Sequence, residues 1–216
     1  MASETNTMRP IATLGFIGLG VMGEPMCGHL ARRFGRPVLA HDLRPEPLTR
    51  LATEHVQAAQ LAEIAETCDL ILLSLPDGKA VASVVAGLEP HLVHGQCVAD
   101  TSTSSVALTR EIGARLAARE IGYADAPVAR TREAAARGEL SIMVGATDAV
   151  FAHIRPVLET MGTDVTHCGP IGCAARSCRR TPWRWSAAAP PAARRCADRS
   201  RSPRPRRPCA GTPACC

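Results

Sequence analysis

Residues 13–26 read Thr-Leu-Gly-Phe-Ile-Gly-Leu-Gly-Val-Met-Gly-Glu-Pro-Met, and this stretch decides the fold of the chain. Gly18, Gly20 and Gly23 have the i, i+2, i+5 spacing with which a buried strand turns sharply into a helix. An apolar strand precedes the turn, and an amphipathic helix follows it to about Phe34. Because the first turn of a helix presents unpaired N–H groups and roughly half a positive charge, the pattern predicts a backbone site for the pyrophosphate of a dinucleotide. The predicted contacts are Gly18, Leu19, Gly20, Val21, Met22 and Gly23.

A second predicted strand, residues 38–41, ends at Asp42, which lies 19 residues after Gly23. This is close to the offset of about 20 residues at which a carboxylate binds the adenosine ribose. A carboxylate accepts hydrogen bonds from both ribose hydroxyls and repels a 2′-phosphate, so Asp42 predicts NAD in preference to NADP. Arg36 and Arg44 are near enough in sequence to weaken this preference. The alternative interpretation of Asp42 is a helix N-cap or loop carboxylate that binds no ligand.

Strand and helix signals alternate along residues 12–172. This alternation predicts an α/β fold with a doubly wound, mostly parallel sheet of the Rossmann type. Residues 70–75, Leu-Ile-Leu-Leu-Ser-Leu, form the nearly continuous apolar run that is typical of a parallel strand buried on both faces. Short helices are expected over residues 45–54 and 58–67.

Candidate contact residues also follow the later strands, because ligands of parallel sheets bind beyond the carboxyl ends of the strands. Leu75 and Pro76 are a predicted wall of the cofactor site, although the same segment is compatible with the start of a helix. Thr103 is predicted to touch the nicotinamide side of the cofactor. In the alternative interpretation of this hydroxyl cluster, Ser104 or Ser105 caps the next helix and has no further function.

The composition divides the 216 residues into an extension (residues 1–11), the domain (12–172) and a tail (173–216). The tail holds eleven arginines and one aspartate, so the rest of the chain carries a net charge of −5 although the whole carries +5. The tail contains seven prolines and no Val, Ile, Leu, Met or Phe. Such a segment buries too little apolar area to offset its ordering entropy, and we expect it to be disordered. Because its composition is typical of GC-rich DNA read out of frame, we expect that a frameshift at about Cys173 replaced a second domain.

Several classes of protein are disfavoured by the composition. No run of about 20 apolar residues is present, so no membrane span is expected, and the N-terminus lacks the apolar segment of a secretory signal. Four scattered cysteines in the domain indicate a reducing compartment, so a cytoplasmic location is expected. The six cysteines of the tail lack the paired spacing of a zinc site, and no metal is expected. The arginines of the tail could attract nucleic acid by charge alone, without a specific site.

Three motifs occur in chain order along the domain. They are Gly15-Phe-Ile-Gly-Leu-Gly-Val-Met-Gly-Glu-Pro-Met26, Asp100-Thr-Ser-Thr103, and Asp125-Ala-Pro-Val128 with Gly138-Glu-Leu140. Together they resemble the β-hydroxyacid dehydrogenases, a family that includes 3-hydroxyisobutyrate dehydrogenase, tartronate semialdehyde reductase and the cofactor domain of 6-phosphogluconate dehydrogenase. The resemblance covers about residues 12–172. It implies hydride transfer between a nicotinamide and a small hydroxy acid or its semialdehyde.

The resemblance also implies where the substrate binds. Asp125 begins a segment that resembles the substrate loop of the family, but the usual Ser-Gly-Gly is replaced by Ala129-Arg130-Thr131. Arg130 could bind a carboxylate through two parallel hydrogen bonds, and Thr131 could replace the lost hydroxyl. The alternative is a solvated helix start with an exposed arginine.

The resemblance implies a catalytic lysine on a helix that follows this domain, and no such lysine is present. Lys79 is the only lysine of the chain and belongs to a different predicted helix, so no catalytic residue is assigned. We therefore expect cofactor binding with slow turnover. Two alternatives stay open: a dinucleotide-binding module without catalysis, and a nucleic-acid-associated protein that acts through its basic tail. The face that a helical second domain would cover is expected to promote self-association.

Overall fold

The computed structural model describes residues 8–174, in which strands and helices alternate. The strands are β1 (Leu14–Ile17), β2 (Val38–His41), β3 (Val56–Ala58), β4 (Leu70–Leu73), β5 (Cys97–Asp100), β6 (Gly122–Asp125), β7 (Val128–Ala129), β8 (Leu140–Gly145) and β9 (Gly162–Gly169). The helices are α1 (Gly23–Phe34), α2 (Pro45–Leu51), α3 (Leu61–Thr67), α4 (Gly78–Leu88), α5 (Val106–Ala117), α6 (Arg132–Arg137) and α7 (Asp148–Leu158), with a 3₁₀ turn at Ala52–Glu54.

Parallel strands in the order β3-β2-β1-β4-β5-β6 form the larger part of the sheet. This is the doubly wound order of the Rossmann fold, so the predicted fold class is confirmed. The chain winds outward from β1 first through β2 and β3, and then in the other direction through β4, β5 and β6. Helices that leave in opposite directions open a crevice beyond the carboxyl ends of β1 and β4, where such sheets bind their ligands.

The far end of the sheet departs from a simple βαβ series. Strand β8 runs antiparallel to β6 and β7, and β9 then pairs with β8 in parallel. The two-residue strand β7 was not predicted, because two residues are too short to show a period. The register places Asp125 at the end of β6 opposite Gly145 at the end of β8. The sheet is therefore mostly parallel, as predicted, and its antiparallel pairs are those that β8 forms with β6 and β7.

The core consists of two apolar layers, one on each face of the sheet. Strand β4 shows this division: Leu70 and Leu72 belong to one layer, and Ile71 and Leu73 to the other. All four side chains are fully buried. The prediction of a strand buried on both faces is confirmed for residues 70–73, since alternate side chains of a strand point to opposite sides. Ser74 and Leu75 lie beyond the end of the strand and are half-buried.

Two short elements differ from the prediction. The helix expected over residues 58–67 begins only at Leu61, and β3 precedes it. Val56 is buried but Gln57 and Ala58 are exposed, so this edge strand shows too little apolar alternation to be recognised from the sequence. The helix expected over residues 45–54 ends at Leu51 and continues as the 3₁₀ turn.

Residues 1–7 and 175–216 lie outside the described part of the chain. For residues 175–216, the predictions of disorder, of nucleic-acid attraction and of no metal site therefore concern residues that the structure does not describe. At residues 173–174 the prediction of disorder is wrong, because these two residues continue the described chain. The described part ends in helical conformation at Cys173 and Ala174, and Ala174 is fully buried. Within residues 8–174, no helix is both long enough and apolar enough to cross a membrane.

Asp69 fastens the N-terminal residues to the sheet. Its carboxylate accepts hydrogen bonds from the amides of Ala12 and Thr13, each at 2.9 Å, and from the Thr13 hydroxyl at 3.0 Å. Arg9 Nη2 lies 2.9 Å from its other oxygen. Burial alone would raise the pKa of Asp69, but these donors and the charge of Arg9 outweigh burial and hold the pKa below its ordinary value.

Replacing Asp69 by asparagine is expected to lower the free energy of unfolding by about 2 kcal/mol at neutral pH, because charge-assisted hydrogen bonds are lost from a buried site. Since the folded-state pKa is depressed, the contribution of the carboxylate is full above the unfolded-state pKa of about 4 and is lost as the pH falls through the folded value. Urea unfolding of both proteins between pH 3 and pH 7 (roughly the range that this linkage spans) measures the difference. The control is Glu63→Gln, which removes an exposed carboxylate on α3. A difference that does not change with pH would contradict this account.

Candidate functional site

A cleft of about 930 Å³ lies beyond the carboxyl ends of β1, β2, β4 and β5, at the crevice that the strand order predicts. Its wall combines the turn after β1, the end of β2, the segments after β4 and β5, and one side of α4. The lining residues that the sequence predicted are Gly18, Gly20, Val21, Met22, Asp42, Leu75, Pro76, Thr103 and Arg130. Leu19, Gly23, Asp125 and Thr131 were also predicted as contacts, and they do not line the cleft.

The three glycines of the turn after β1 lack a side chain for different structural reasons. Gly18 has a φ of +94°, and a Cβ there would collide with the Ser74 carbonyl oxygen at the end of β4. A Cβ on Gly23 would collide with the Gly18 carbonyl oxygen. In contrast, a Cβ on Gly20 would meet no atom within 4 Å, and Gly20 faces the cleft. Packing therefore explains why Gly18 and Gly23 cannot carry a side chain. At Gly20 the protein leaves room for a side chain, so the close approach of a ligand would explain the glycine.

The amino end of α1 has few free backbone amides. Met22 is the N-cap residue and its side chain makes no capping hydrogen bond. The Glu24 amide donates to the Gly20 carbonyl at 3.0 Å and Pro25 has no N–H, so the amides of Met22 and Gly23 are the ones left without a partner in this turn of the described chain. Glu24 in the first turn would oppose an anion, but Arg50 binds it through two hydrogen bonds of 2.6 and 2.8 Å. The hydrogen bond from Arg50 holds the pKa of Glu24 below its ordinary value, so this carboxylate is ionised and already paired.

The side chain of Asp42 links the end of β2 to the glycine turn through hydrogen bonds. Its Oδ2 accepts a hydrogen bond of 2.6 Å from the Leu19 amide, and its Oδ1 accepts from the Arg44 amide at 2.9 Å and from Arg44 Nε at 3.3 Å. Burial alone would raise the pKa of Asp42, but these donors outweigh it and hold the pKa below its ordinary value. Asp42 is therefore ionised and hydrogen-bonded within the loop, which is compatible with both interpretations of this residue. It also lines the cleft, with Arg44 beside it.

Most hydroxyls of the segment after β5 are used within the protein. The Thr101 hydroxyl donates to the Leu73 carbonyl at 2.6 Å, and the Ser102 hydroxyl accepts from the Leu75 amide at 2.8 Å. Ser105 is the N-cap of α5, which confirms one of the two interpretations of this cluster. Thr103 is exposed at the cleft and makes no hydrogen bond within the described residues. It is the hydroxyl of this segment that is left for a ligand.

The segment after β6 contains the three predicted substrate contacts, and the structure separates them. Asp125 is 3% exposed, and its Oδ1 accepts a hydrogen bond of 2.8 Å from the Gly172 amide. The Thr131 hydroxyl accepts from the Ala134 amide at 3.4 Å and caps α6. Arg130 is exposed, lines the cleft and has a φ of +90°. Only Arg130 is thus placed where it can touch a ligand of the cleft.

Sequence reasoning missed part of the cleft wall. Val84 continues the helical spacing of Val81 and Leu88, which is typical of a buried stripe, yet it lines the cleft together with Ser83. Apolar spacing shows that a helix has a buried stripe, but it does not show which edge of that stripe faces a ligand. The remaining unpredicted lining residues are Ile17, His41, Leu43, Leu61, Ser74, Ala80, Thr101, Ser102 and Val128.

Exposed apolar side chains also mark the cleft. Within residues 8–174, three large hydrophobic side chains are strongly exposed: Val21 at 63%, Leu43 at 96% and Val93 at 46%. Val21 and Leu43 line the cleft. A flat apolar ligand group would cover area that water now contacts. The described residues contain no group of three or more His, Cys, Asp or Glu side chains that could hold a metal ion.

Comparison with known proteins identifies the family of the described domain. Residues 13–169 match the family model described as the NAD binding domain of 6-phosphogluconate dehydrogenase. The chain is 36% identical to 2-(hydroxymethyl)glutarate dehydrogenase of Eubacterium barkeri over 163 residues, which are 74% of this chain and 54% of that protein. It is 33% identical to mitochondrial 3-hydroxyisobutyrate dehydrogenase of Mus musculus over 176 residues, which are 80% of this chain and 50% of that protein. It spans about half the length of these relatives.

A solved structure agrees with the fold. The crystal structure of a putative oxidoreductase from Mycobacterium avium superimposes with a TM-score of 0.74 at 38% sequence identity. The match covers 77% of this chain and 60% of that one.

Replacing Gly20 by alanine is expected to leave the fold intact and to weaken the binding of NADH by about tenfold or more, because the added methyl group enters space that a dinucleotide backbone would occupy. Fluorescence titration with NADH and thermal unfolding measure the two effects. Gly87→Ala is the control, because it lies on α4 and has room for a methyl group, with its nearest neighbour at 3.8 Å. Unchanged NADH affinity in Gly20→Ala would show that no ligand approaches this turn.

Proposed function

Because the chain belongs to the family of the NAD binding domain of 6-phosphogluconate dehydrogenase, we propose that residues 13–169 bind NAD, in preference to NADP, as the cofactor domain of an oxidoreductase. The reaction is hydride transfer between nicotinamide and a small hydroxy acid or its semialdehyde. The observation that carries the proposal is the open space at Gly20, in the cleft where the sheet changes winding direction. The relatives named above act, by their names, on hydroxy acids.

The residues of the chain have distinct roles in this proposal. The Gly20 backbone and the amino end of α1 hold the pyrophosphate through free amides and a positive helix end. The amides of Gly18 and Leu19 take no part, because they already donate to His41 and Asp42. Asp42 accepts hydrogen bonds from the adenosine ribose with the lone pairs that Leu19 and Arg44 leave free. Thr103 donates its free hydroxyl at the opposite end of the cleft. The bound nicotinamide supplies the hydride donor or acceptor, and the protein supplies position and exclusion of water.

Arg44 limits the preference for NAD. A carboxylate at Asp42 repels a 2′-phosphate, but the guanidinium of Arg44 lies 3.3 Å from that carboxylate and offsets part of its charge. The Arg44 side chain is 61% exposed, so it can turn toward a phosphate at low cost. We therefore propose a moderate preference, with NADP as the weaker ligand.

NADH is expected to bind about tenfold more tightly than NADPH. In Asp42→Asn the preference is expected to fall to within a few-fold, because the negative charge is lost while a side-chain oxygen stays available to the Leu19 amide. In Arg44→Gln the preference is expected to increase, because the carboxylate is no longer offset. Calorimetric titration of each protein with both cofactors measures these ratios. Tighter binding of NADPH than of NADH by the wild type would refute the assignment.

We propose that turnover is slow. Lys79, the one lysine of the sequence, is exposed on α4 and does not line the cleft. A general acid or base typically contributes about 10²- to 10⁴-fold to the rate. His41 lines the cleft, but its Nδ1 is already engaged with the Ala59 carbonyl at 3.0 Å. This placement favours the second candidate function, a dinucleotide-binding module without catalysis. Measurable oxidation of 3-hydroxyisobutyrate by NAD would separate the two candidates. Self-association through a face left uncovered stays a prediction.

The frameshift predicted at about Cys173 is tested by sequencing the source DNA independently across codons 165–216. A single-base correction is expected to restore a helix that carries a lysine soon after Gly172, followed by apolar helical sequence. The corrected protein is then expected to oxidise hydroxy acids at least about 10²-fold faster than the present chain. If the present sequence stands, a sequencing error is ruled out, and the chain is expected to bind NAD without useful catalysis.

A further inference from the structure

Three parts of the chain meet at the buried carboxyl group of Asp125. This residue ends β6, and its register partner is Gly145 at the end of β8. A Cβ on Gly145 would collide with the carboxyl group, so the Asp125 side chain occupies the space that a side chain there would need. Its Oδ1 accepts a hydrogen bond of 2.8 Å from the amide of Gly172, which follows β9. Asp125 thus joins the ends of β6 and β8 to a backbone amide 47 residues away.

The segment that Asp125 holds has a defined shape. Gly169 and Gly172 have φ values of +106° and +86°, so the backbone turns at both positions in a way that suits glycine. Between the two turns, Ile171 packs against the apolar layer that contains Tyr123. An apolar side chain and a hydrogen bond to a buried carboxyl group therefore both hold this segment against the sheet.

Two more ionisable side chains lie on the same face of the sheet as Asp125. Asp100 is its register partner on the parallel strand β5, and neighbouring strands lie about 4.8 Å apart. Tyr123 stands two residues before Asp125 on β6, so both side chains point to the same side. The Tyr123 hydroxyl is buried and has no hydrogen-bond partner among the described residues, which is uncommon in proteins. Burial and then the charges of Asp100 and Asp125 raise the pKa of Tyr123, so the phenol keeps its proton.

Asp100 has no cation to balance a negative charge. It is 1% exposed and forms no ion pair within residues 8–174; its oxygens contact the Ser102 amide at 2.9 Å and the Ser104 hydroxyl at 3.1 Å. The exposed Arg110 of α5 packs beside Gly172, where a Cβ would lie 3.1 Å from its Nε. Burial raises the pKa of the Asp100 carboxyl group, although the hydrogen bonds from Ser102 and Ser104 partly oppose this rise.

We propose that Asp100 and Asp125 form a carboxylic acid–carboxylate pair, in which Asp125 is ionised and positions the segment at Gly172 while Asp100 keeps its proton. Asp100 Oδ2–H then donates to the Ser104 hydroxyl, and Oδ1 accepts from the Ser102 amide. A neutral Asp100 removes the repulsion between two buried carboxylates on adjacent strands. Neither carboxyl group lines the cleft, so this role is independent of the cofactor site. Asp125 is a positioning residue for the chain after β9.

The pair predicts how stability depends on pH in a variant that keeps the shape of Asp100 without its charge. Because the folded-state pKa of Asp100 is raised, its contribution to stability is full below the unfolded-state pKa of about 4 and is lost as the pH rises through the folded value. Asp100→Asn stays neutral, so its stability relative to the wild type is expected to increase from about pH 4 to about pH 8 in urea unfolding. Asp148→Asn, which removes an exposed carboxylate on α7, is the control and should show no such trend.

Hydrogen exchange of the Gly172 amide in the full chain of 216 residues tests the positioning role. In Asp125→Ala this amide is expected to exchange about tenfold or more faster than in the wild type, because its acceptor is lost. Asp125→Asn offers a neutral oxygen and is expected to lie between the two. Asp100→Asn is expected to change the rate by less than about twofold. Unchanged exchange in Asp125→Ala would refute the positioning role.

The ionisation of the pair is measured in the wild type, so it does not require any variant to fold. The ¹³C shifts of the aspartate carboxyl groups, assigned through the backbone resonances, distinguish an acid from a carboxylate. At neutral pH, Asp100 is expected to be an acid and Asp125 a carboxylate, and the amide proton shift of Gly172 is expected to follow the titration of Asp125. Two carboxylates at neutral pH, or a neutral Asp125 beside an ionised Asp100, would contradict the proposal.

Discussion

The close approach of the turn after β1 to the end of β4 is the constraint on which the other features of the site depend. Gly18 passes so near the Ser74 carbonyl that no side chain fits between them, and its φ of +94° turns the chain into α1. This contact brings the amino end of α1 to the point where the winding of the sheet reverses. The Leu19 amide is then close enough for Asp42, which closes the turn against the end of β2 with a 2.6 Å hydrogen bond. One tight packing contact thus sets the positions of the helix end, the carboxylate and the cleft.

The carboxylates in and beside the cleft are already paired with arginine side chains. Asp42 is bound by Arg44, and Glu24 is bound by Arg50 beside the anion site. These pairs add little stability, because surface ion pairs contribute only about 0–1 kcal/mol. Their effect is on the ligand: they reduce the negative potential that a dinucleotide would meet. Arg130 remains the cation of the cleft wall without a partner in the described residues.

The sequence predicted the parts of the fold that are set by local pattern. The doubly wound sheet was predicted from alternating strand and helix signals, with a glycine turn after the first strand and a carboxylate at a fixed offset, and the structure has this arrangement. The edge strand β3 and the two-residue β7 were missed, because they are held by pairing with neighbours and not by their own apolar periodicity. The site was predicted less completely. Asp125 lies in a motif that resembles a substrate loop, but its carboxylate is buried against Gly145 and accepts the Gly172 amide. Nothing in the local sequence shows which way a residue at a strand end points, since that depends on a chain segment 47 residues away.

The central claim is that a dinucleotide binds at the turn after β1, and mapping amide chemical shifts of the ¹⁵N-labelled chain during titration with NADH tests it most directly. The account predicts that the largest shifts fall on Gly20, Val21 and Met22, with further shifts at Asp42 and Arg44 and at Thr101–Thr103. Resonances of β9 and of the carboxyl-terminal half of α7 should not move, because these elements lie at the far end of the sheet. Shifts confined to other regions, or no shifts at saturating NADH, would contradict the account.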